Sequence, residues 1–306
     1  VGLTRLFGKA IPDVEFIITG GDEPTVRQDV VGLPASKNIT DGDPQPPVLP
    51  RKGPPTFRFC KTDKHTDILV PDVHFHMKSY TSKVLVPAKA WAKQWPWPKK
   101  NASLFGRFSP YPRLHTIGTN ATYKLGAGGA DICKPQSPTS LSCDVREHFM
   151  QWAAEKRHKG YPINAKKQPK RSMEYHARYK YLLHLDGQSC SSRLEQLLAI
   201  GSMVVKEESG YRAFYHHLLE PKTHFMPFWV KGPEEALDVV RWAIAHDADA
   251  ERMGQAARVF AEQHLNKQAL ACFWLQLLTR FATVLRYKPG MKGGRQYAIP
   301  PQPLEE

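Results

Sequence analysis

No run of 18 or more apolar residues occurs anywhere in the 306-residue chain, so the sequence offers no candidate for a membrane-spanning helix. The opening residues, VGLTRLFGKAIPDVEF, lack the shape of a secretory leader. They read as the middle of a helix running into a strand, which predicts that further chain precedes Val1. Cysteine is scarce: Cys60, Cys133, Cys143, Cys190 and Cys272 show no CxxC pair and no Cys/His metal spacing, which argues against a zinc module. Acidic residues are also short, 29 against 43 lysines and arginines, for a net charge of +14. Internal repeats are missing, and so are helix-turn-helix, zinc-finger and aromatic RNA-binding signatures, which leaves nucleic acid without a reader here.

What is present is enough to fold. Hydrophobic residues make up 41% and aromatics 10%, compatible with a packed core and not with global disorder. The positive balance by itself favours a polyanionic partner such as nucleic acid, an anionic glycan, a membrane surface or a diphosphate. Much of it falls in EKRHKGYPINAKKQPKR, residues Glu155 to Arg171, which taken alone reads as a solvated basic loop. Cys133 and Cys143 flank a short loop rich in Pro and Ser and are placed to form a disulfide; the odd cysteine count leaves at least one thiol without an internal partner. Three sequons, Asn38-Ile-Thr, Asn101-Ala-Ser and Asn120-Ala-Thr, fit a secretory compartment.

Pattern predicts a strand over Val14–Gly20, a Pro-rich loop over Asp41–Pro55, short strands at Phe57–Cys60 and Asp67–Val70, and another near Ser103–Phe105. Turn formers dominate Pro110 to Leu141. The second half is cleaner. Tyr179–Leu185 is an apolar strand ending at Asp186-Gly187; Ser191 or Ser192 caps the helix RLEQLLAI; Gly201 ends it; Ser202–Lys206 is the next strand. That βαβ order predicts a parallel sheet. Helices follow over Pro233–His246, Ala250–His264 and Asn266–Tyr287. The division expected is an N-terminal half over 1–110, an irregular basic connector over 111–172 and a Rossmann-like half over 173–306.

The segment Tyr179 to Pro227 carries the densest chemistry. Gly187 follows a parallel-type strand, Ser189, Ser191 and Ser192 add hydroxyls, and Arg193 enters the next helix, an arrangement suited to a diphosphate. An ordinary capped helix with a surface arginine has the same residues. Lys206, Glu207, Glu208, Ser209 and Tyr211 then sit past a core strand, where such folds contact ligands; a solvated loop is the plain alternative.

In sequence these pieces resemble glycosyltransferase family 90, the Rumi-like protein O-glucosyltransferases and capsule-associated xylosyltransferases. The resemblance rests on Tyr179-Lys-Tyr-Leu, Gly187, Ser191-Ser-Arg193, Phe214-Tyr215 and Pro221-Lys-Thr-His224-Phe-Met-Pro227, with PDVEFIITGGDEP placing Asp22 in an opening turn. FRFCKTDKHTDILVPD (Lys61, Asp67, Pro71), Trp95-Pro-Trp-Pro-Lys-Lys-Asn with Phe105-Gly-Arg107, and Ala271-Cys-Phe-Trp274 extend it along the chain. Three features depart from it: Gly106-Arg107 inverts the family's Arg-Gly, Ala177 stands where many members place a cysteine, and the extended Asp41–Pro55 loop is not a family feature.

The resemblance implies a GT-B-like α/β fold of two Rossmann-like halves with an interdomain cleft and C-terminal helices packing back. It also implies an inverting transferase that moves glucose or xylose from a UDP-sugar to a protein or glycan hydroxyl in the lumen of the endoplasmic reticulum or Golgi. Asp67 is then the expected base, Arg193 and Arg107 the diphosphate ligands, Gly187 and Ser191 the backbone and hydroxyl contacts, and Lys206, Glu207, Glu208 and Tyr211 the lining of the donor pocket. No metal or other cofactor is expected; Asp41-Gly-Asp43 and Asp247-Ala-Asp249 read as incidental Asp-x-Asp triplets. The competing readings are a degenerate transferase fold and a basic binding module for an anionic polymer.

Overall fold

The computed structural model describes residues 2–21, 56–77, 79–116, 122–138, 140–285 and 289. Asp22, the Asp41–Pro55 loop, Asp41-Gly-Asp43 and the sequons at Asn38 and Asn120 lie outside them. In chain order the strands are Ile17–Ile18 (β1), Thr56–Arg58 (β2), Lys61–Thr62 (β3), Ile68–Leu69 (β4), Asn101–Arg107 (β5), Arg113–Thr116 (β6) and Cys133–Ser137 (β7). Then come Ser140–Cys143 (β8), Ile163–Lys166 (β9), Tyr179–His184 (β10), Met203–Glu207 (β11), Tyr211–Arg212 (β12) and Met226–Phe228 (β13). The helices are Gly2–Phe7 (α1), His74–Met77 (α2), Val86–Gln94 (α3), Val145–His158 (α4), Met173–His176 (α5), Leu194–Leu198 (α6), Glu235–Ala245 (α7), Asp247–His264 (α8) and Lys267–Val284 (α9).

Two parallel sheets frame the molecule, so the expected α/β architecture is present. The first runs β1-β2-β4 and the second β13-β11-β10-β5-β9, with every neighbouring pair parallel. β10, α6 and β11 form the expected βαβ unit. Central strands of a sheet covered on both faces are apolar throughout, and Tyr181, Leu182 and Leu183 are buried accordingly. Alternation sends Leu104, Tyr181, Leu183 and Val205 toward α4 and α7, where Phe149, Trp152 and Val240 wait. Phe105, Leu182 and Val204 pack on the other face with Ala88, Leu197 and Phe260 of α3, α6 and α8.

α9 returns to the first sheet. Asn266 caps it by accepting from the Ala269 N–H at 2.9 Å. Its Leu278 and Phe281 join Phe57 and Val70 in a separate cluster, with the Phe57 and Phe281 ring centroids 5.1 Å apart. This is the closing helix that the sequence anticipates, described as far as Val284; the expected end at Tyr287 falls outside the described residues.

Three expectations change. The strand over Val14–Gly20 shrinks to Ile17–Ile18. Asn101–Arg107, assigned to the first half, is instead paired between β9 and β10 in the second sheet. The irregular connector over 111–172 instead holds an antiparallel sheet, β6-β8-β7, together with α4 and β9. Val145, Phe149, Trp152 and Ala153 recur at helical spacing and are all buried, so the pattern for α4 is present beneath the basic composition that hides it.

α8 approaches the sheet at Gly254. A Cβ there would lie 2.8 Å from the Ser202 carbonyl carbon and 2.9 Å from the Gly201 oxygen, both backbone atoms that cannot swing away. Gly254→Ala is expected to lower stability by about 1–3 kcal/mol through overpacking, read as a lower urea midpoint with unchanged m-value.

Candidate active site

All strands of the second sheet point the same way, so their carboxyl ends form one rim, the place where open α/β sheets bind ligands. β10 delivers Asp186 to that rim. Its carboxylate accepts from the Ser191 N–H at 2.8 Å, from His184 Nε2 at 3.1 Å and from the Ser209 hydroxyl. Burial pushes the Asp186 carboxyl up, but His184, Lys206 and Arg113 outweigh it and hold the group well below the ordinary range. Burial lowers the His184 pKa despite the carboxylate beside it.

Behind Asp186 lies a fully buried ion pair. Arg113, from β6, donates to both oxygens of Glu207 at 2.6 and 2.8 Å, and each side chain is 0% exposed. Burial alone would lower the Arg113 pKa; Glu207 reverses the sign and raises it. Arg113 also donates to the Asp186 carbonyl at 3.1 Å, and Glu207 accepts the Asp186 N–H at 3.2 Å. Arg146 of α4 donates to the Asp186, Leu185 and Ser109 carbonyls. A Cβ on Gly187 would meet this guanidinium at 3.1 Å, so glycine there makes room for Arg146.

The residues singled out in the sequence fall into distinct places. Arg193 turns inward: it donates to the Arg107 carbonyl at the end of β5, and its guanidinium lies 5.8 Å from the Phe108 ring centre. Burial lowers its pKa. At the start of α6, Arg193 occupies the N-cap position without a side-chain bond of its own, and the Ser191 carbonyl accepts from the Leu194 N–H. Arg107 is buried beside β9, donating to the Gly106 and Asn164 carbonyls at 2.8 Å and lying over the Phe105 ring. Glu207 has both oxygens on Arg113. Lys206 is buried and donates to the Glu207 carbonyl at 3.1 Å. Glu208 pairs with Arg212 at 2.8 Å; burial raises its pKa, and Lys206 and Arg212 pull it below the ordinary value. The Tyr211 hydroxyl donates to the Leu114 and Gln188 carbonyls at 3.0 and 3.2 Å. Asp67 is buried just before β4 at 2% exposure. Of the two Asp-x-Asp triplets, the described one is engaged at both ends: Asp247 takes Lys180 and Trp97 Nε1, and Asp249 pairs with Arg252.

Between the two sheets lies a narrow cleft of about 10 Å³, room for about one water molecule. Phe59, Asp72 and Phe75 line it from the first half, and Asp186, Ser191, Ser192 and Phe214 from the second. Two ties hold its walls in register. Cys60 and Cys190 form a disulfide across 130 residues, and β12 pairs antiparallel with β3. Cys133 and Cys143 are joined as their spacing predicts, and Cys272 is free and exposed. Asp186, Arg113, Arg146 and Asp72 were not singled out in the sequence. Only Asp186 carries a local sign, an acid directly before glycine at the end of an apolar strand.

The sequence model of Glycosyl transferase family 90 matches residues 1–302. The chain belongs to this family. Protein O-glucosyltransferase 1 of Homo sapiens is 26% identical over 274 residues, covering 84% of this chain and 64% of its own length. The O-glucosyltransferase rumi homolog of Aedes aegypti is 25% identical, covering 76% of this chain and 57% of its own. Protein O-glucosyltransferase 2 of Danio rerio is 30% identical over 125 residues, 41% of this chain and 25% of that protein. The chain thus spans between 25% and 64% of the length of these family 90 relatives. Anabaena HepE, solved in complex with UDP, overlaps at a TM-score of 0.37 with 12% identity over 64% of this chain and 53% of that one. Overlap at that level is too low to transfer a topology or a site.

The buried pair sets a clear stability expectation. Glu207→Gln leaves Arg113 charged, buried and without its counter-ion, and is expected to cost about 3–5 kcal/mol in urea unfolding. The double replacement Arg113→Met with Glu207→Leu removes both charges and should recover most of that loss.

Proposed function

We propose that this chain is the core of an inverting glycosyltransferase that moves glucose or xylose from a UDP-sugar to a hydroxyl of a protein or glycan acceptor. The observation that carries the reading is the match of the family 90 model to residues 1–302, in a chain whose two parallel sheets meet at a narrow cleft lined by Asp72, Asp186 and Ser191. In this reading the second sheet holds the donor and the first half presents the acceptor. A guanidinium carries five N–H donors, of which Arg193 gives one to the Arg107 carbonyl, so the rest can meet the charge that grows on the leaving diphosphate. Acceptor oxygen attacks the anomeric carbon, the bond to UDP breaks, and a carboxylate takes the acceptor proton. No metal is required in this scheme.

Two carboxylates on the first-half side are candidates for the base. Family resemblance favours Asp67; position favours Asp72, which lines the cleft while accepting from the His74 N–H at 2.9 Å. Two disulfides support folding in an oxidising lumen, endoplasmic reticulum or Golgi. Among the described residues no helix is long and apolar enough to cross a membrane.

Asp67→Asn and Asp72→Asn, each assayed for transfer and for UDP binding, test the base. The base is the residue whose replacement lowers kcat by about 10²–10⁴-fold while UDP affinity stays within about twofold. Full activity in both overturns the assignment of the base to either aspartate. Turnover in EDTA is expected to equal turnover in buffer; a loss restored by a divalent cation overturns the metal-free scheme. Arg193→Gln should weaken UDP binding by about tenfold or more, in line with loss of a charge-assisted bond.

A further inference from the structure

Of the three sequons, Asn101-Ala-Ser falls on described residues, and no step of the proposed transfer uses it. Neither Ala102 nor the Leu104 that follows the triplet is proline, so the local sequence permits a sugar on the Asn101 amide. Asn101 opens β5. Asn101 and Ala102 are exposed, Ser103 is half-buried, and Leu104 to Arg107 are buried, so the strand enters the core only after the sequon. Pairing with β9 starts at Leu104 with Ile163, whereas Asn101 stands beside Tyr179 of β10. The Asn101 N–H donates to the Arg178 carbonyl at 2.7 Å, so the backbone is held while the residue stays at the surface.

Order of synthesis favours access as well. A central strand is shielded by its neighbours once a sheet is complete, but both neighbours of β5 come later in the chain, at Ile163–Lys166 and Tyr179–His184. A chain made from its N-terminus at about 5–20 residues per second therefore presents Asn101-Ala-Ser unpaired before those strands exist. After folding, Asn101 sits at the amino ends of the strands, opposite the rim that carries Asp186. The seven residues of β5 span roughly 20 Å. A bulky, solvated glycan at that end is clear of the cleft.

We propose that Asn101 carries an N-linked glycan. The Asn101 side-chain nitrogen attacks C1 of an oligosaccharide held on a lipid diphosphate. The C1–N bond forms as the C1–O bond to the diphosphate breaks. The lipid diphosphate leaves with the electron pair, and the amide gives one proton to a base of the host's transfer machinery. This rests on the lumenal part of the proposed function and is independent of its transferase chemistry.

Trypsin isolates the site, because Lys100 precedes it and Arg107 is the next basic residue, giving the peptide NASLFGR with a single asparagine. Full-length protein from a eukaryotic secretory host is digested before and after peptide N-glycosidase treatment in heavy-oxygen water. The peptide is expected only after treatment, with labelled aspartate at position 101; its recovery solely as unmodified asparagine overturns the proposal. Asn101→Gln and Ser103→Ala are each expected to remove one glycan from the gel-mobility pattern, and Ser103→Thr to keep it. Unchanged mobility in Asn101→Gln overturns the assignment. With the glycan at the far end of the sheet, Asn101→Gln is expected to retain UDP-sugar turnover within about twofold of wild type; a larger loss in protein with an unchanged thermal midpoint overturns the placement clear of the cleft. Protease protection in intact microsomes reads the compartment separately. Protected protein with bare Asn101 overturns the site alone, and unprotected protein overturns the lumenal reading together with it.

Discussion

The Arg113–Glu207 pair ties together the antiparallel sheet, β11 and the turn that follows β10. Arg113 comes from the antiparallel sheet, Glu207 from the end of β11, and both grip the backbone of Asp186 at the end of β10. Two unit charges without water are costly to bury, and such a pair persists only where nearly every lone pair and proton is matched. Here the matching is close: both carboxylate oxygens meet the guanidinium, and two further Arg113 donors reach the Asp186 and Gly187 carbonyls. The result is a turn at the carboxyl rim whose backbone cannot move independently of three strands.

From that fixed turn the rest of the rim follows. Asp186 projects into the cleft wall with its charge already settled by His184, Ser191 N–H and Ser209, so it organises the 187–192 loop as much as it faces a ligand. The Cys60–Cys190 disulfide then fastens this loop to the segment after β2, and the β3–β12 ladder repeats the tie a few residues on. The cleft is narrow because both walls are tethered at its base. Residues such as Glu207 and Tyr211, chemically suited to a sugar, are instead consumed in building the wall.

Much of the second half was legible in the sequence. Tyr179–His184, the following short helix and Met203–Glu207 announce a parallel βαβ unit through apolar continuity and a glycine at φ +77° where the helix stops, Gly201. Cys133 and Cys143 are close in sequence, so their pairing is a local matter. By contrast, Asn101–Arg107 reads as a strand but says nothing of its neighbours, and only long-range pairing places it between β9 and β10. The basic run from Glu155 to Arg171 conceals the last turn of a helix and an edge strand, because charge at exposed positions dominates composition while the buried face is carried by few residues.

Local patterning thus determined the βαβ unit and closing helices of the second half, that this unit is parallel, and which family the chain resembles, since these depend on side-chain periodicity and residue order within a few turns. Tertiary structure alone decided which charged groups face a ligand and which face one another. A carboxylate after a core strand is the same residue in sequence whether it meets a sugar or an arginine 94 positions away. Its partner is chosen by packing, where burial leaves an ion no alternative to a counter-charge.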